Sequence, residues 1–253
     1  MADAAFEDPR LAQLYDVLED DRGDLDAYLD LAAELGVLSV LDIGCGTGTF
    51  ACLLAQRGMQ VTAVDPAGAS LEVARRKPYA NRVRWLQGDA GTLPPLQVDL
   101  VVMSGNVAQV FLDEADWAST LEAAHAALKP DGHLVFEVRN PERQAWREWN
   151  REQSYRRLPR PGGGALETWL ELTDVSLPYV SFRWTFVFVD EGATLTSNST
   201  LLFRSQAEIR ASLQAAGFAA VQLRDAPDRP GRELVFIATP AQVHDADRKR
   251  GAT

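Results

Sequence analysis

Cysteine and histidine are scarce in this chain, and the scarcity excludes several kinds of site. The 253 residues include two cysteines, Cys45 and Cys52, and three histidines. Two cysteines cannot supply a disulfide framework, and their positions do not match the ligand spacing of a structural metal centre. We therefore expect no bound metal, and the low cysteine content fits the reducing cytoplasm.

Long apolar runs and an excess of positive charge are also missing. No segment is apolar over the length that a membrane-spanning helix needs, and residues 1–10 are acidic where a secretory signal would be basic and then apolar. The formal net charge is -11, from 36 acidic and 25 basic residues, whereas contact with nucleic-acid phosphates needs a basic surface. These features predict a cytoplasmic protein with a small-molecule substrate and no membrane or nucleic acid as partner.

Short apolar segments alternate with helical patterns along the chain. The predicted strands lie at 37–43, 60–65, 83–88, 99–104 and 133–138. The predicted helices lie at 11–18, 25–35, 49–57, 67–77 and 113–128. This alternation is typical of an α/β fold with a doubly wound, mostly parallel sheet. A further helix at 206–216 and strands at 219–224 and 233–239 complete a sheet of seven strands, the last two as an antiparallel edge.

The pattern changes after the fifth strand. Residues 141–156 are polar and contain tryptophan, and 159–164 are a proline and glycine loop. Three strands are then predicted at 165–177, 180–190 and 193–203. We therefore expect an inserted antiparallel three-stranded β meander, whose aromatic residues form a lid over a substrate, a hydrophobic core or the contact of a homodimer.

Glycines recur at every second position where the first strand ends. Residues 42–48 read Asp-Ile-Gly-Cys-Gly-Thr-Gly, and glycines at this point let the backbone approach a ligand closely. A dinucleotide-binding loop would place its last glycine at position 49, which is Thr49. The carboxylate of Asp42 would also repel a pyrophosphate but tolerate an ammonium group. The loop therefore fits a nicotinamide dinucleotide poorly.

This loop resembles motif I of class I S-adenosylmethionine-dependent methyltransferases of the bacterial small-molecule type. The resemblance implies a Rossmann-like fold and S-adenosyl-L-methionine as cofactor, with S-adenosyl-L-homocysteine as product. It places Gly44, Cys45, Gly46 and Gly48 beside the aminoacyl part of the cofactor, and it implies that Asp42 holds the amino group indirectly. Residues 103–111 add to the resemblance.

Two acids at the ends of the next strands fit the same family pattern. Asp65, followed by Pro66, lies where a carboxylate can accept both ribose hydroxyls, although an aspartate before proline also caps helices. The resemblance implies that Asp89 accepts from the adenine amino group and that the backbone N–H of Ala90 meets the ring. A turn role for Asp89 is the alternative.

The same family pattern predicts further residues that line the cofactor site. It places Ser104, Gly105 and Asn106 against the cofactor, and Gln109 extends this lining. Tyr15 and Asp16 resemble a Tyr-Asp pair that closes over the cofactor carboxylate, and a packing role for the tyrosine is the alternative.

Residues beyond the fifth strand are the candidates for contact with the acceptor. Arg139 and Asn140 leave that strand at the carboxyl edge of the sheet, where doubly wound folds bind ligands. Arg139 either pairs with an acidic substrate or anchors the insertion, and Trp146 is a further candidate. No histidine occupies a clear general-base position, so no catalytic residue is assigned. The sulfonium methyl group is already activated, and its transfer needs mainly alignment and dry surroundings.

The predictions combine into an enzyme of four parts. Residues 1–36 form helices that close over the cofactor, 37–140 and 205–240 form the methyltransferase core, 141–204 form the insertion, and 241–253 form a flexible tail. Residues 104–107 lack the Pro-Pro-aromatic sequence of nucleic-acid amino-methyltransferases, which agrees with a small acceptor. An NAD(P)-dependent oxidoreductase and a non-catalytic S-adenosylmethionine-binding protein are the rival hypotheses.

Overall fold

A seven-stranded sheet lies at the centre of the structure, a computed structural model that describes residues 3–19, 22–160 and 163–241. The strands of these residues, in order, are β1 (Ser39–Ile43), β2 (Gln60–Asp65), β3 (Val83–Gln87), β4 (Val98–Met103), β5 (Leu128–Arg139), β6 (Arg156–Pro159), β7 (Ala165–Ser176), β8 (Tyr179–Phe188), β9 (Ala193–Leu202), β10 (Phe218–Asp225) and β11 (Glu233–Pro240). The predicted flexible tail lies outside the described residues from position 242 onward.

Helices cover both faces of this sheet. The helices of the described residues are α1 (Ala4–Glu7), α2 (Pro9–Leu18), α3 (Asp24–Glu34), α4 (Thr49–Gln56), α5 (Gly68–Ala74), α6 (Glu114–Ala127), α7 (Arg151–Ser154) and α8 (Gln206–Ala215), of which α7 lies against β7 of the insertion. Their starts follow from capping residues: Asp113 accepts from two backbone N–H groups of α6, and Ser205 forms a reciprocal capping box with Glu208 of α8. One hydrophobic core contains Trp117 and Phe136, and the core on the other face contains Leu54.

The strand order in the large sheet is β10-β11-β5-β4-β1-β2-β3. Strands β1 to β5 are parallel, and β11 runs antiparallel to both β5 and β10. The chain passes from β1 outward to β3 and then returns to β4 on the other side of β1. The switch point of the sheet, where such folds bind ligands, therefore lies between β1 and β4. The predicted doubly wound, mostly parallel sheet of seven strands is confirmed.

The prediction of three strands in the insertion is wrong, because the second sheet has four, in the order β6-β7-β8-β9. The additional strand, β6, contains two arginines and one leucine before its proline, so it shows no apolar alternation. It is an edge strand that pairs only with β7, and one such pairing can form without a buried face of its own. Strand β5 also begins earlier than predicted, because Leu128 already pairs with Val98.

Contacts with the core hold the insertion in place. Phe186 and Phe188 of β8 are buried against Leu11 and Leu14 of α2. On the other side, the side chain of Arg204 is only 5% exposed and forms an ion pair with Glu114 at 2.8 Å. The guanidinium of Arg204 also donates to the carbonyl oxygens of Ala108 and Phe111, at 3.4 and 2.8 Å. The far end of the insertion is therefore fastened to the segment that follows β4.

Candidate functional site

The glycine-rich loop between β1 and α4 is held in a left-handed conformation at three positions. Gly44, Gly46 and Gly48 have φ angles of 73°, 54° and 73°, which side chains disfavour. The N–H groups of Gly44 and Cys45 both donate to the carbonyl oxygen of Val64, at 2.8 and 3.2 Å, and this fastens the loop to β2. The predicted loop thus lies at the carboxyl edge of the sheet, beside the switch point.

The three glycines face different surroundings. A Cβ atom on Gly44 would lie 2.7 Å from the side chain of Val107, and one on Gly48 would lie 2.4 Å from Trp85. A Cβ atom on Gly46 would meet nothing within 4 Å. The outer two glycines therefore allow close packing, whereas Gly46 leaves space beside the loop for a ligand.

Asp42 is a buried acid without a partner. Its residue is 1% exposed, and neither carboxylate oxygen accepts a hydrogen bond from any residue that the structure describes. Burial, reinforced by the negative charge of Asp65, raises the pKa of Asp42 to about 7. A buried carboxylate left unpaired is unfavourable, and an ammonium group would relieve it. Asp42 therefore fits the amino group of an amino-acid ligand.

Asp65, the last residue of β2, fastens the loop from the other side. Its Oδ2 accepts from the N–H of Gly46 at 2.7 Å, and its Oδ1 accepts from the N–H of Ala67 at 2.8 Å. Burial raises its pKa, and these two backbone N–H groups act in the opposite direction. Each oxygen keeps capacity for a second bond, so the structural role leaves room for the ribose hydroxyls. Pro66 follows as an exposed residue.

Asp89 and Ala90 follow β3. The carboxylate of Asp89 accepts from the N–H of Gly91 at 3.0 Å and so caps a short 3-10 turn, while Ala90 is buried. The turn role considered for Asp89 is therefore real. Contact of these residues with an adenine ring stays a prediction.

Asn106, in the loop after β4, turns toward the interior. It is 4% exposed with a φ of 61°, its N–H donates to Glu137 Oε1 at 2.7 Å, and its Nδ2 donates to Glu233 Oε1 at 3.0 Å. Glu137 also accepts from the hydroxyl of Tyr28, which lies on α3. Burial raises the pKa of Glu137, and these two donors act in the opposite direction. Of the neighbouring predicted residues, Ser104 is half-buried and Gly105 is exposed.

This carboxylate network was not predicted from the sequence. The available signal was the presence of Glu137 within the apolar strand β5, and of Glu233 at the start of β11, because acids in buried strands require partners. The network connects α3, the loop after β4 and the last strand of the sheet.

Gln109 and Arg139 lie together beyond Asn106. Gln109 is 1% exposed, and its Oε1 accepts from the backbone N–H of Arg139 at 3.3 Å and from Arg139 Nη1 at 3.1 Å. The half-buried guanidinium of Arg139 lies 5.6 Å from the ring centre of Trp149. The end of β5 thus meets the insertion at this point, and pairing of Arg139 with an acidic substrate stays a prediction.

The other two acceptor candidates are engaged within the protein. Asn140 donates to the carbonyl oxygen of Gly231 at 3.2 Å and accepts from the N–H of Glu142 at 3.1 Å. Trp146 is 5% exposed and meets the ring of Phe203 with a centroid distance of 4.6 Å. Both side chains stabilise the start of the insertion, and their contact with a substrate stays a prediction.

The N-terminal helix α2 reaches the glycine loop through Asp16. Its carboxylate accepts from the hydroxyl of Thr47 at 2.7 Å and forms an ion pair with Lys77 at 2.7 Å. Lys77 also donates to the hydroxyl of Thr49. Sequence reasoning gave weight to Tyr15, which is half-buried with its ring 5.4 Å from that of Phe6. Burial raises the pKa of Tyr15 to about 12, so the phenol stays protonated at neutral pH.

Membrane-spanning helices and metal clusters are both absent from the described residues. Within 3–19, 22–160 and 163–241, no helix is long and apolar enough to cross a membrane. In the same ranges, no cluster of three or more His, Cys, Asp or Glu side chains could hold a metal ion.

Comparison with known proteins identifies the class. Residues 40–132, from β1 into β5, match the family model of the methyltransferase domain. At the level of the whole fold, an S-adenosylmethionine-dependent methyltransferase from Clostridium acetobutylicum superposes with a TM-score of 0.71 and 16% identity, over 91% of this chain and 97% of that one. The chain therefore has the fold of class I methyltransferases, and its residues 40–132 match the methyltransferase domain, in agreement with the resemblance of its glycine loop.

Particular relatives match this chain over part or most of its length. A cypemycin N-terminal methyltransferase from a Streptomyces species is 28% identical over 56% of this chain and 59% of its own length. A demethylmenaquinone methyltransferase from Thermus thermophilus is 35% identical over 53% of this chain and 63% of its own length. An amino pentose methyltransferase from Micromonospora echinaspora, solved with S-adenosylmethionine bound, has a TM-score of 0.68 and 23% identity over 90% of this chain and 97% of that one. The chain thus spans less than two thirds of the two curated relatives.

Proposed function

We propose that this protein transfers a methyl group from S-adenosyl-L-methionine to a small-molecule acceptor by in-line displacement. The observation that carries the proposal is the unpaired, buried carboxylate of Asp42 beside a left-handed glycine loop with open space at Gly46. A methyl donor with an amino-acid end supplies the ammonium group that this carboxylate lacks. The methyltransferase domain match over residues 40–132 supports the same function.

The residues of this chain would bind and orient the cofactor. Gly44, Cys45, Gly46 and Gly48 would contact its aminoacyl part, Asp65 would accept from the ribose hydroxyls, and Asp89 and Ala90 would meet the adenine. Tyr15 would close over the amino-acid end, and residues 1–36 would exclude water from it. When bound, the cofactor supplies an activated methyl group, so the protein needs mainly to align and dehydrate the reactants.

The acceptor side would be formed by the loop after β4, the end of β5 and the insertion. Gln109, Arg139, Asn140 and Trp146 are the acceptor-side residues of the proposal. The amino pentose methyltransferase of the same fold acts on a small molecule, which supports a small acceptor here. A homodimer through residues 141–204, the exclusion of nucleic acids and a cytoplasmic location stay predictions.

Calorimetry with S-adenosylhomocysteine tests the cofactor assignment. We expect the wild-type protein to bind it and the Asp65→Ala variant to lose about tenfold or more in affinity, because hydrogen bonds to a charged group are lost. Asp99→Ala is the matched control. Asp99 also accepts from two backbone N–H groups, those of Leu38 and Ser39 at 3.0 and 2.8 Å, but it lies near the start of β4, away from the carboxyl edge of the sheet. Binding of NAD in place of S-adenosylhomocysteine would establish the oxidoreductase alternative and refute the proposal.

A transfer assay separates an enzyme from a binding protein. Radiolabelled S-adenosylmethionine would be incubated with the protein and a library of small acceptors, with the Asp65→Ala variant in parallel. We expect label in at least one acceptor with the wild-type protein and much less with the variant. Tight cofactor binding with no transfer to any acceptor would favour the non-catalytic alternative.

A further inference from the structure

Two unpaired hydrogen-bond donors meet where β5 ends. The buried Nε2 of Gln109 has no partner among the described residues, although the Oε1 of the same side chain is bound to Arg139. The only hydrogen bond that the Arg139 guanidinium makes within the described part of the chain is this one, to a neutral amide. The guanidinium of Arg139 therefore keeps N–H groups that no described residue accepts, whereas the Nε2 of Gln109 is enclosed by the protein.

A half-buried guanidinium normally has an anionic partner, because removing a charge from water is unfavourable unless the charge is paired. Among the described residues, no carboxylate forms an ion pair with Arg139. The nearest acids that influence its charge are Glu233 and Glu137. Glu233 is paired with Arg229 at 3.1 Å, and Glu137 accepts from Tyr28 and Asn106. Neither acid is therefore the direct partner of the guanidinium.

The position of these donors matches the acceptor side of the site. Gln109 follows the loop after β4, and Arg139 ends β5, so both lie at the carboxyl edge next to the switch point. The ring of Trp149, from the insertion, lies near the guanidinium at 5.6 Å. An anion here would lie between the edge of the large sheet and the insertion.

We propose that Arg139, positioned by Gln109, forms a carboxylate-binding subsite and that the methyl acceptor is a small molecule carrying a carboxylate. The inference rests on the proposed function, because it takes the space beside Arg139 to be the acceptor site. The planar edge of a guanidinium suits the planar pair of oxygens of a carboxylate. The nearby acids Glu137 and Glu233 disfavour the greater charge of a phosphate dianion.

The cofactor also carries a carboxylate, so the source of the anion needs a separate argument. The acid that fits the cofactor's amino group, Asp42, lies on β1, and the strand order places β4 between β1 and β5. The guanidinium of Arg139 is thus displaced from the aminoacyl position by two strands. This placement assigns the subsite to the acceptor.

The experiment measures binding of matched acid and amide probes. The full chain, saturated with S-adenosylhomocysteine, would be titrated with benzoate and benzamide, 3-phenylpropanoate and 3-phenylpropanamide, and hexanoate and hexanamide, by calorimetry or ligand-observed NMR. We expect at least one acid to bind about tenfold or more tightly than its amide, because a charge-assisted hydrogen bond contributes roughly that much affinity. In the Arg139→Met variant this preference should disappear, while affinity for S-adenosylhomocysteine stays unchanged.

Arg232→Met is the control variant, because Arg232 is an exposed arginine of the same region that pairs with Glu148 at 3.3 Å. It should behave as the wild-type protein does. Acids that bind no better than amides, or a preference that survives Arg139→Met, would overturn the subsite. If Arg139→Met instead weakens S-adenosylhomocysteine and leaves 5′-methylthioadenosine unchanged, the anion is the cofactor's own carboxylate, and the acceptor assignment is wrong.

These outcomes are distinct from failure of the proposed function. A wild-type protein that does not bind S-adenosylhomocysteine contradicts the cofactor assignment, whatever the acids do. A protein that binds S-adenosylhomocysteine but shows no acid preference contradicts only the carboxylate subsite.

Discussion

The unpaired carboxylate of Asp42 affects stability as well as binding. Burial and the charge of Asp65 raise its pKa from 3.8 to about 7. Between these two pH values the folded protein holds a proton that the unfolded chain has released. The contribution of Asp42 to the free energy of unfolding therefore decreases as pH rises through this window and is lowest above it.

The variant Asp42→Asn removes this ionisation. We expect it to be more stable than the wild-type protein at pH 8, by roughly 1–4 kcal/mol, with the difference shrinking toward pH 5. Urea unfolding at pH 5, 6.5 and 8 measures this difference. Acids whose charges do not act on Asp42, such as Asp99 with its lowered pKa, are common to both proteins and cancel in the comparison. A stability difference that does not change with pH would contradict a raised pKa at Asp42.

Gly46 allows the effect of ligand contact to be separated from that of backbone strain. A Cβ atom on Gly46 meets no protein atom within 4 Å, and its φ is 54°. Gly46→Ala should therefore lower the free energy of unfolding by only about 1–2 kcal/mol, from the left-handed backbone. Affinity for S-adenosylhomocysteine should fall by about tenfold or more, because the methyl group occupies the space left for the ligand.

Gly36→Ala is the matched control for this substitution. Gly36 follows α3 and has a φ of 65°, and a Cβ atom on it would likewise meet nothing within 4 Å. It should show the same loss of stability and no loss of affinity, by chemical unfolding and calorimetry respectively. Equal affinities for the two variants would contradict the placement of the cofactor beside Gly46.

At the level of elements, α2 is joined to the glycine loop by a small polar cluster. Asp16 on α2 contacts Thr47 in the loop, and Lys77, just beyond α5, contacts both Asp16 and Thr49. Burial lowers the pKa of Lys77, and the bond to Asp16 acts in the opposite direction. The cluster thus connects the predicted N-terminal cover with the loop that it would close.

The variant Asp16→Asn tests this connection. We expect faster hydrogen exchange in α2 and several-fold faster dissociation of S-adenosylhomocysteine, with less than about 1 kcal/mol lost in stability because the ion pair is partly exposed. Glu72→Gln breaks the exposed pair of Glu72 with Arg75 at 2.8 Å and should change neither rate. Unaltered exchange in α2 of Asp16→Asn would show that this contact does not hold the helix.

Some elements could be predicted from their own residues and others could not. The strand predicted at 60–65 agrees with β2 residue for residue, because its apolar run ends at an acid followed by proline. Strand β6 could not be predicted, because its pairing depends on β7 and not on a pattern of its own. The early start of β5 at Leu128 has a similar cause, since Pro130 and Gly132 indicate a loop while the pairing with Val98 extends the strand.

Across the whole molecule, contacts within one strand-loop-strand unit were more predictable than contacts between distant elements. Asp42, Gly46 and Asp65 lie within one strand-loop-strand unit, so their spacing in the sequence already places them together. The contact of Asp16 with Lys77 spans 61 residues, and that of Tyr28 with Glu137 spans 109. Such contacts depend on the packing of distant elements and leave no local pattern. The bond between Gln109 and Arg139, over 30 residues, is of the same kind.

The attachment of the insertion also bears on how new specificities arise. The chain leaves the large sheet at Arg139, and Arg204 fastens its return to the segment after β4, so both junctions lie at the carboxyl edge. The segment between them contributes no strand to the large sheet. It could therefore be exchanged as a cassette between related proteins, by recombination or by design, with the donor-binding half inherited intact.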